Sequence, residues 1–190
     1  MKPAIGILAL QGDFREHEQA VQKLGYHAKQ VRTINDTTNI AGLILPGGES
    51  TAIGKLLVST GLAAWLQAKK KRHFPVYGTC AGCILIAKRV DSPYSLKLID
   101  ITVQRNAYGR QLNSFETTLT SDCFKKVEAC FIRAPKITAL GKNVTTLLAY
   151  NDEPVLVQEN NILAGTFHPE LTGSLAIHQY FAKLVQQWYK

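Results

Sequence analysis

The sequence predicts an α/β fold, with one domain, a mostly parallel central sheet flanked by helices, and antiparallel additions in the second half. Two observations lead to this prediction. Short apolar runs alternate with amphipathic stretches over the first half, which is typical of a parallel sheet. The second half is strand-like, with Gly, Asn, Asp and Pro at its turns. The 190 residues suffice for one sizeable core and contain no recognisable linker or repeat, so we expect residues 1–190 to form one domain.

The first half predicts strands and helices in strict alternation. The apolar run 4–10 indicates a strand buried on both faces. Residues 13–25 have a helical pattern, with Asp13 as N-cap and Gly25 as stop. The remaining predicted elements are strands at 26–31 and 40–48, two helices within 50–71 broken near Gly61, a strand at 74–80 and a helix at 81–90.

The second half changes character after residue 100. Three stretches have the β-branched and aromatic content of strands, and an amphipathic segment follows them. The predicted strand-rich stretches are 101–120, 127–135 and 145–170, and the closing helix is 174–189.

Composition excludes some functional classes. At 46% hydrophobic and 19% charged, the chain resembles an ordinary globular protein. No apolar run reaches the roughly 20 residues that a membrane span needs. The apolar start is short and has no small-residue cleavage site, so we interpret it as a strand and not a signal peptide. We therefore expect a cytoplasmic protein without membrane association, in which thiols stay reduced.

The chain is basic, with a net charge of +8. Its densest basic run, 69–72, follows an amphipathic stretch, which indicates cations near a helix C-terminus. Neither zinc-finger spacing nor aromatic residues interleaved with the basic ones accompany this run. We expect no nucleic-acid binding, and a protein-docking role for the basic surface stays open.

Loops at the carboxyl ends of parallel strands usually hold the functional residues. In the segment 77–82, Gly78, Cys80 and Gly82 form the nucleophile-elbow pattern with Cys in place of Ser. A thiol at a helix start is favoured as thiolate, and the Ala81 amide could stabilise an oxyanion. Cys80 with Cys83 could instead be a redox dithiol or half of a metal site. No second closely spaced cysteine pair supports metal binding, and Cys83 fits a core position.

Two further loops supply what a cysteine nucleophile lacks. His168 could act as general base, and Glu170 could orient its imidazole. If that segment is extended, the two side chains point to the same side. Gly47 and Gly48 predict a tight turn that completes the oxyanion hole, and Ser50 or Thr51 could cap the following helix.

These segments, with residues 6–17, 45–51, 105–116, 131–135 and 167–172, resemble the class I, triad-type glutamine amidotransferases, in particular the glutaminase subunit family of pyridoxal 5′-phosphate synthase. The resemblance covers nearly the whole chain in order. It implies a class I amidotransferase-like fold and a Cys80, His168 and Glu170 triad. The L-glutamine-binding positions that it implies are Gly48, Glu49, Ser50, Arg105, Ile132 and Arg133, beside an oxyanion hole of Gly47, Gly48 and Ala81.

The resemblance also implies a partner. Members of that family pass ammonia to a (βα)₈-barrel synthase subunit within a hetero-oligomeric complex, and we expect the isolated chain to be nearly inactive. No metal or organic cofactor is expected for the glutaminase. Two alternatives stay open: a glutaminase that feeds a different synthase, and a non-enzymatic thiol-sensing module on the same fold.

Overall fold

The computed structural model describes residues 2–105 and 114–190, and it confirms the α/β prediction. The helices are α1 (Phe14–Lys23), α2 (Ser50–Ser59), α3 (Leu62–Lys70), α4 (Ala81–Ile86) and α5 (Ala176–Tyr189). The strands are β1 (Ala4–Leu8), β2 (Ala28–Val31), β3 (Ile40–Leu45), β4 (Val76–Thr79), β5 (Ala87–Val90), β6 (Ile99–Gln104), β7 (Phe115–Leu119), β8 (Val127–Phe131), β9 (Lys136–Leu140), β10 (Thr145–Tyr150), β11 (Glu153–Glu159) and β12 (Ile162–Gly165).

The main sheet has the order β10-β11-β12-β4-β3-β1-β2. Strands β2, β1, β3, β4 and β12 pair in parallel, whereas β11 and β10 add antiparallel strands at one edge. Two small sheets, β5-β6-β9 and β7-β8, complete the mixed architecture that the second half of the sequence predicts. Because β12 pairs in parallel with β4, the segments that follow these two strands leave the sheet at the same edge.

The core lies on both faces of the main sheet. Successive residues of a strand point to opposite faces, and β3 is buried throughout. Leu43 and Leu45 pack with α2, α3 and α4, whereas Ile44 packs on the face that α5 covers. Burial on both faces explains why β1 and β3 are uninterrupted apolar runs.

Several predicted boundaries were wrong. The helix expected at 81–90 ends at Ile86, because residues 87–90 pair with β6 as strand β5, and tertiary pairing overrides the local helical pattern. The segment 168–170 is not extended, since Pro169–Leu171 form a 3₁₀ turn. The predicted break between α2 and α3 is confirmed at Gly61, whose φ is 76°. Much of the stretch 105–116 lies outside the described residues.

The described part of the chain, 2–105 and 114–190, has no helix that combines the length and apolarity needed to cross a membrane. The closing helix α5 lies instead against the sheet, with Ile177, Phe181 and Val185 fully buried.

Phe181 is the side chain through which we expect α5 to contribute most to stability. Its ring lies 5.7 Å from that of Tyr77, centroid to centroid, and is fully buried. Phe181→Ala should therefore lower the free energy of unfolding by about 3–5 kcal/mol, measured by urea denaturation. Tyr189→Ala is the matched control, because Tyr189 lies on the same helix and is 61% exposed. Equal losses in the two variants would contradict this account of the core.

Candidate active site

Cys80 lies at a sharp turn between β4 and α4. Its backbone has φ 47° and ψ −100°, a strained conformation for a non-glycine residue. The flanking glycines allow this turn: a Cβ on Gly78 would lie 2.6 Å from the Gly82 carbonyl, and a Cβ on Gly82 would lie 2.1 Å from the Leu45 oxygen. A side chain at either position would collide with the backbone.

His168 and Glu170 reach Cys80 from the neighbouring strand. The Cys80 amide donates to the Gly165 carbonyl at 2.9 Å, which joins the ends of β4 and β12. Glu170 Oε1 lies 2.8 Å from His168 Nδ1, and the Cys80 and His168 side chains line the same cavity. The three side chains predicted to act together are therefore adjacent, although a 3₁₀ turn and not an extended segment brings the last two together.

The protonation states of the pair follow from burial and hydrogen bonds. Burial raises the pKa of Glu170, but nearby His17 and the hydrogen bond from His168 outweigh this and hold that pKa well below its usual range. Burial lowers the pKa of His168, but interactions with Cys80 and Glu170 outweigh it and raise that pKa to about 11. A carboxylate facing an imidazolium is therefore favoured at neutral pH.

Two loops hold the turn at Gly47 and Gly48 in place. The Asp13 amide donates to the Gly47 carbonyl at 3.2 Å, and the Glu49 amide donates to Gln11 Oε1 at 2.8 Å. A Cβ on Gly47 would lie 2.3 Å from Cε1 of His168, so only glycine lets the imidazole approach this closely. The loop before α1 and the turn before α2 thus form one wall beside the imidazole.

The cap of α2 differs from the prediction. Neither Ser50 nor Thr51 is the N-cap. Glu49 occupies that position, and its carboxylate accepts from the amides of Thr51 at 2.8 Å and Ala52 at 2.6 Å. Hydrogen bonding from the Thr51 amide, the largest cause, holds the pKa of Glu49 below its usual value. The helix N-terminus thereby fixes a negative charge at the mouth of the site.

Cys80 and His168 open into a cavity of about 380 Å³, a size typical of small-molecule sites. All six positions expected to bind glutamine line it, as does Ala81. Gly47 contacts the imidazole instead of lining the cavity, and Glu170 is buried beside His168. The lining residues are Asp13, Gly48, Glu49, Ser50, Cys80, Ala81, Ile84, Arg105, Ile132, Arg133, His168 and Leu171.

Asp13 is a site residue that the sequence reasoning missed. It was predicted as the cap of α1, yet its side chain makes no capping hydrogen bond. Its Oδ2 lies 3.5 Å from His168 Nδ1, and burial, the largest cause, raises its pKa. Within residues 2–105 and 114–190, Asp13, His168 and Glu170 are also the cluster whose ligand atoms lie close enough to hold a metal ion, within 4.8 Å. A metal there would compete with the bond between His168 and Glu170.

Two buried histidines were also missed. His17 on α1 and His178 on α5 lie at core-facing positions where an apolar residue is expected. His17 Nε2 lies 3.4 Å from Glu170 Oε1, and its Nδ1 lies 2.9 Å from His178 Nε2. A polar residue in the apolar stripe of a helix was the signal that could have identified them.

The four cysteines are unpaired. Cys83 is fully buried, as its predicted core role requires, and burial strongly raises the pKa of its thiol. Cys130 lies on β8, where its carbonyl accepts from the His168 amide at 2.8 Å. Cys123 is exposed in the segment before β8.

Comparisons with known proteins identify the family of this chain. The profile of the SNO glutamine amidotransferase family matches residues 7–187. Pyridoxal 5′-phosphate synthase subunit PdxT of Pseudothermotoga lettingae is 51% identical over 95% of this chain and 94% of its own length. The PdxT subunit of Thermotoga maritima is 48% identical over 96% of this chain and 99% of its own length.

Solved structures with the same fold include glutamine amidotransferases. A crystal structure of a glutamine amidotransferase is 42% identical, with a TM-score of 0.91 over 95% of this chain and 98% of its own. The structure of PurLQS from Thermotoga maritima contains a chain that is 18% identical, with a TM-score of 0.72 over 99% of this chain and 97% of its own, and so shares the fold. The chain belongs to the SNO glutamine amidotransferase family.

Proposed function

We propose that this chain is the glutaminase subunit of a pyridoxal 5′-phosphate synthase, which hydrolyses L-glutamine to L-glutamate and delivers the ammonia to a synthase subunit. The observation that carries the proposal is that one cavity holds Cys80 and His168 together with every position expected to bind glutamine. The curated relatives that share about half of its residues over nearly their whole length bear the name of that subunit.

The charges lining the cavity suit a free amino acid. Arg105 and Arg133 offer guanidinium groups for an α-carboxylate, and the carboxylates of Glu49 and Asp13 can accept an α-ammonium group. Arg105 is oriented by a 3.4 Å hydrogen bond from its Nη2 to Thr51 Oγ1. Opposite charges at the mouth would direct the uncharged amide end of glutamine inward, toward Cys80.

The proposed reaction is acyl transfer through a thioester. The Cys80 thiolate, held beside the imidazolium of His168, attacks the side-chain amide carbon of glutamine. His168 protonates the departing nitrogen as the tetrahedral intermediate collapses and ammonia leaves. The same imidazole then takes a proton from water, which attacks the glutamyl thioester and releases glutamate. Glu170 keeps the imidazole oriented and stabilises its charged form throughout.

Backbone amides around Cys80 would stabilise the oxyanion. Ala81 is the first residue of α4, so its N–H has no carbonyl acceptor one turn earlier in the helix. Gly48 lines the same cavity, and Gly47 belongs to the same turn as Gly48. Loss of one such donor typically lowers the rate about 10²–10³-fold.

The proposal includes a partner over the cavity mouth. Ammonia released into bulk water would be protonated and lost to an acceptor that needs the free base. Ile132 and Leu171 line the cavity and are 37% and 41% exposed, so part of its rim is apolar. A (βα)₈-barrel synthase subunit docked on this rim in a hetero-oligomeric complex would exclude water and receive the ammonia.

The first test is glutamate release from glutamine by the chain alone and with the synthase subunit. We expect release with the partner, little without it, and none above background for Cys80→Ala in either condition. Cys123→Ala is the matched control, because Cys123 is exposed and does not line the cavity, and it should behave as wild type.

Other outcomes of that assay separate the alternatives. Release that requires Cys80 but ignores this partner would keep the chemistry and favour a different synthase. Absence of release from wild type in the presence of its partner would refute the glutaminase function.

Cys83→Ala distinguishes the glutaminase from a dithiol sensor. Burial, with a smaller effect of Cys80, raises the pKa of the Cys83 thiol, which keeps it protonated and a poor partner for disulfide exchange. The glutaminase proposal therefore expects kcat within about threefold of wild type under reducing conditions. A complete loss in a variant that still unfolds cooperatively would favour the dithiol.

Glu170→Gln tests the charge on His168. The neutral amide removes the carboxylate that helps to raise the pKa of His168, so that pKa should fall. If the imidazolium must protonate the leaving ammonia, activity is lost as pH rises through this pKa, and the alkaline limb of the kcat profile should move to lower pH. We expect kcat to fall about 10²-fold or more. An unchanged alkaline limb would contradict the assigned role of Glu170.

A further inference from the structure

A row of polar side chains continues from Glu170 into the core. His17 and His178 are 0% and 1% exposed and lie between α1, α5 and β4. His17 Nε2 lies 3.4 Å from Glu170 Oε1 and 3.1 Å from Thr79 Oγ1, whereas His17 Nδ1 lies 2.9 Å from His178 Nε2. One carboxylate oxygen of Glu170 therefore faces two imidazoles, His168 on the cavity side and His17 on the core side.

The surroundings fix the direction of the hydrogen bonds in this row. His178 Nδ1 is buried, and residues 2–105 and 114–190 offer it no hydrogen-bond partner. If His17 Nδ1 donated to His178, then His178 would carry its proton on Nδ1, where no acceptor lies, and an orphaned buried N–H is rarer than an orphaned acceptor. The same arrangement in a neutral His17 would aim a lone pair of Nε2 at the carboxylate. Both costs vanish when His178 Nε2 donates to His17 Nδ1.

Burial is consistent with this direction. Desolvation, the largest cause, lowers the pKa of His178 to about 3, so this imidazole stays neutral with one N–H to donate. His17 Nε2–H is then directed toward Glu170 Oε1 and Thr79 Oγ1. His178 thus donates a hydrogen bond to His17, and His17 donates one to the Glu170 carboxylate.

We propose that His17 is a positioning residue of the glutaminase, which holds Glu170 ionised and aimed at His168, and that His178 acts behind it by fixing the His17 tautomer. This inference rests on the proposed glutaminase function. A hydrogen bond to the ionised form of a buried carboxylate favours that form. Without it, Glu170 would lose its donor on the core side and have only His168 to offset its burial.

The titratable groups around Glu170 come from every element packed on it. His168 shares its turn, Asp13 and His17 approach from the start of α1, and the others come from β4, β8 and α5. These groups are His168, Asp13, His17, Tyr77, Cys130 and His178. Among them, His17 and His168 are the two whose interactions lower the pKa of Glu170.

The test compares two amides at position 17 in the complex with the synthase subunit. The amide nitrogen of Gln reaches about as far as imidazole Nε2, whereas that of Asn reaches only about as far as Nδ1. His17→Gln can still donate to Glu170, and we expect kcat within about threefold of wild type. His17→Asn cannot, and we expect kcat to fall about tenfold or more with KM nearly unchanged, since His17 does not line the cavity.

The pH profile separates positioning from packing. Loss of the donor raises the pKa of Glu170, so the carboxylate is neutralised at a higher pH as the solution is acidified. The acid limb of kcat in His17→Asn should move to higher pH, while that of His17→Gln stays near wild type. Equal kcat and equal acid limbs in the two variants would overturn the proposal. So would equal losses of kcat that are matched by equal falls in the unfolding midpoints of the two variants.

A second measurement does not depend on activity. The ¹⁵N shifts of the two imidazoles in the full chain should report a proton on Nε2 of both His17 and His178, with Nδ1 unprotonated. A proton on Nδ1 of His178 would refute the proposed direction of the row. Wild type that releases no glutamate with its partner would refute the glutaminase function instead, and the tautomer result would still decide the hydrogen-bond geometry.

Discussion

The arrangement of the site depends on the parallel pairing of β12 with β4. In this register Gly165 lies beside Thr79, and the Cys80 amide donates to the Gly165 carbonyl. Parallel strands deliver their carboxyl ends to one edge, so residues almost ninety positions apart in sequence leave the sheet side by side. No local feature of either segment could bring a thiol and an imidazole together without this pairing, which only the folded sheet supplies.

Close backbone contacts then set the distances within the site. Gly82 lies against Leu45 at the end of β3, and Gly47 lies against the imidazole of His168. Each contact is short enough that a methyl group would force the groups apart, so both glycines are needed for the close packing of the site. The strain at Cys80 is sustained because strands on both sides of β4 and the helix after it fix the turn.

Apolar periodicity predicted the fold class and most element positions, and glycines at strand ends indicated the loops that carry the site. The expected glutamine-binding positions came from the family resemblance instead. Three features of the structure were not predicted from the sequence. Residues 87–90 became a strand through pairing with distant β6. Glu49 capped α2 where Ser50 or Thr51 was expected, since its carboxylate reaches two amides. The Asp13 side chain lies beside His168 and does not cap its own helix, and this contact depends on the packing of two loops that are distant in sequence.

The two buried histidines occupy helix positions where the apolar pattern alone would place an apolar residue. An apolar residue at position 17 or 178 would pack with less desolvation cost, because a buried imidazole must find partners for its ring nitrogens. His17 lies between His178 and the carboxylate of Glu170, and that carboxylate would itself be costly to bury as an ion without a partner. The interaction between His17 and Glu170 offsets the desolvation cost of both groups, so neither is well accommodated without the other. The histidine row and Glu170 are therefore best understood as one unit, in which the core side of the sheet stabilises the charge that the cavity side uses.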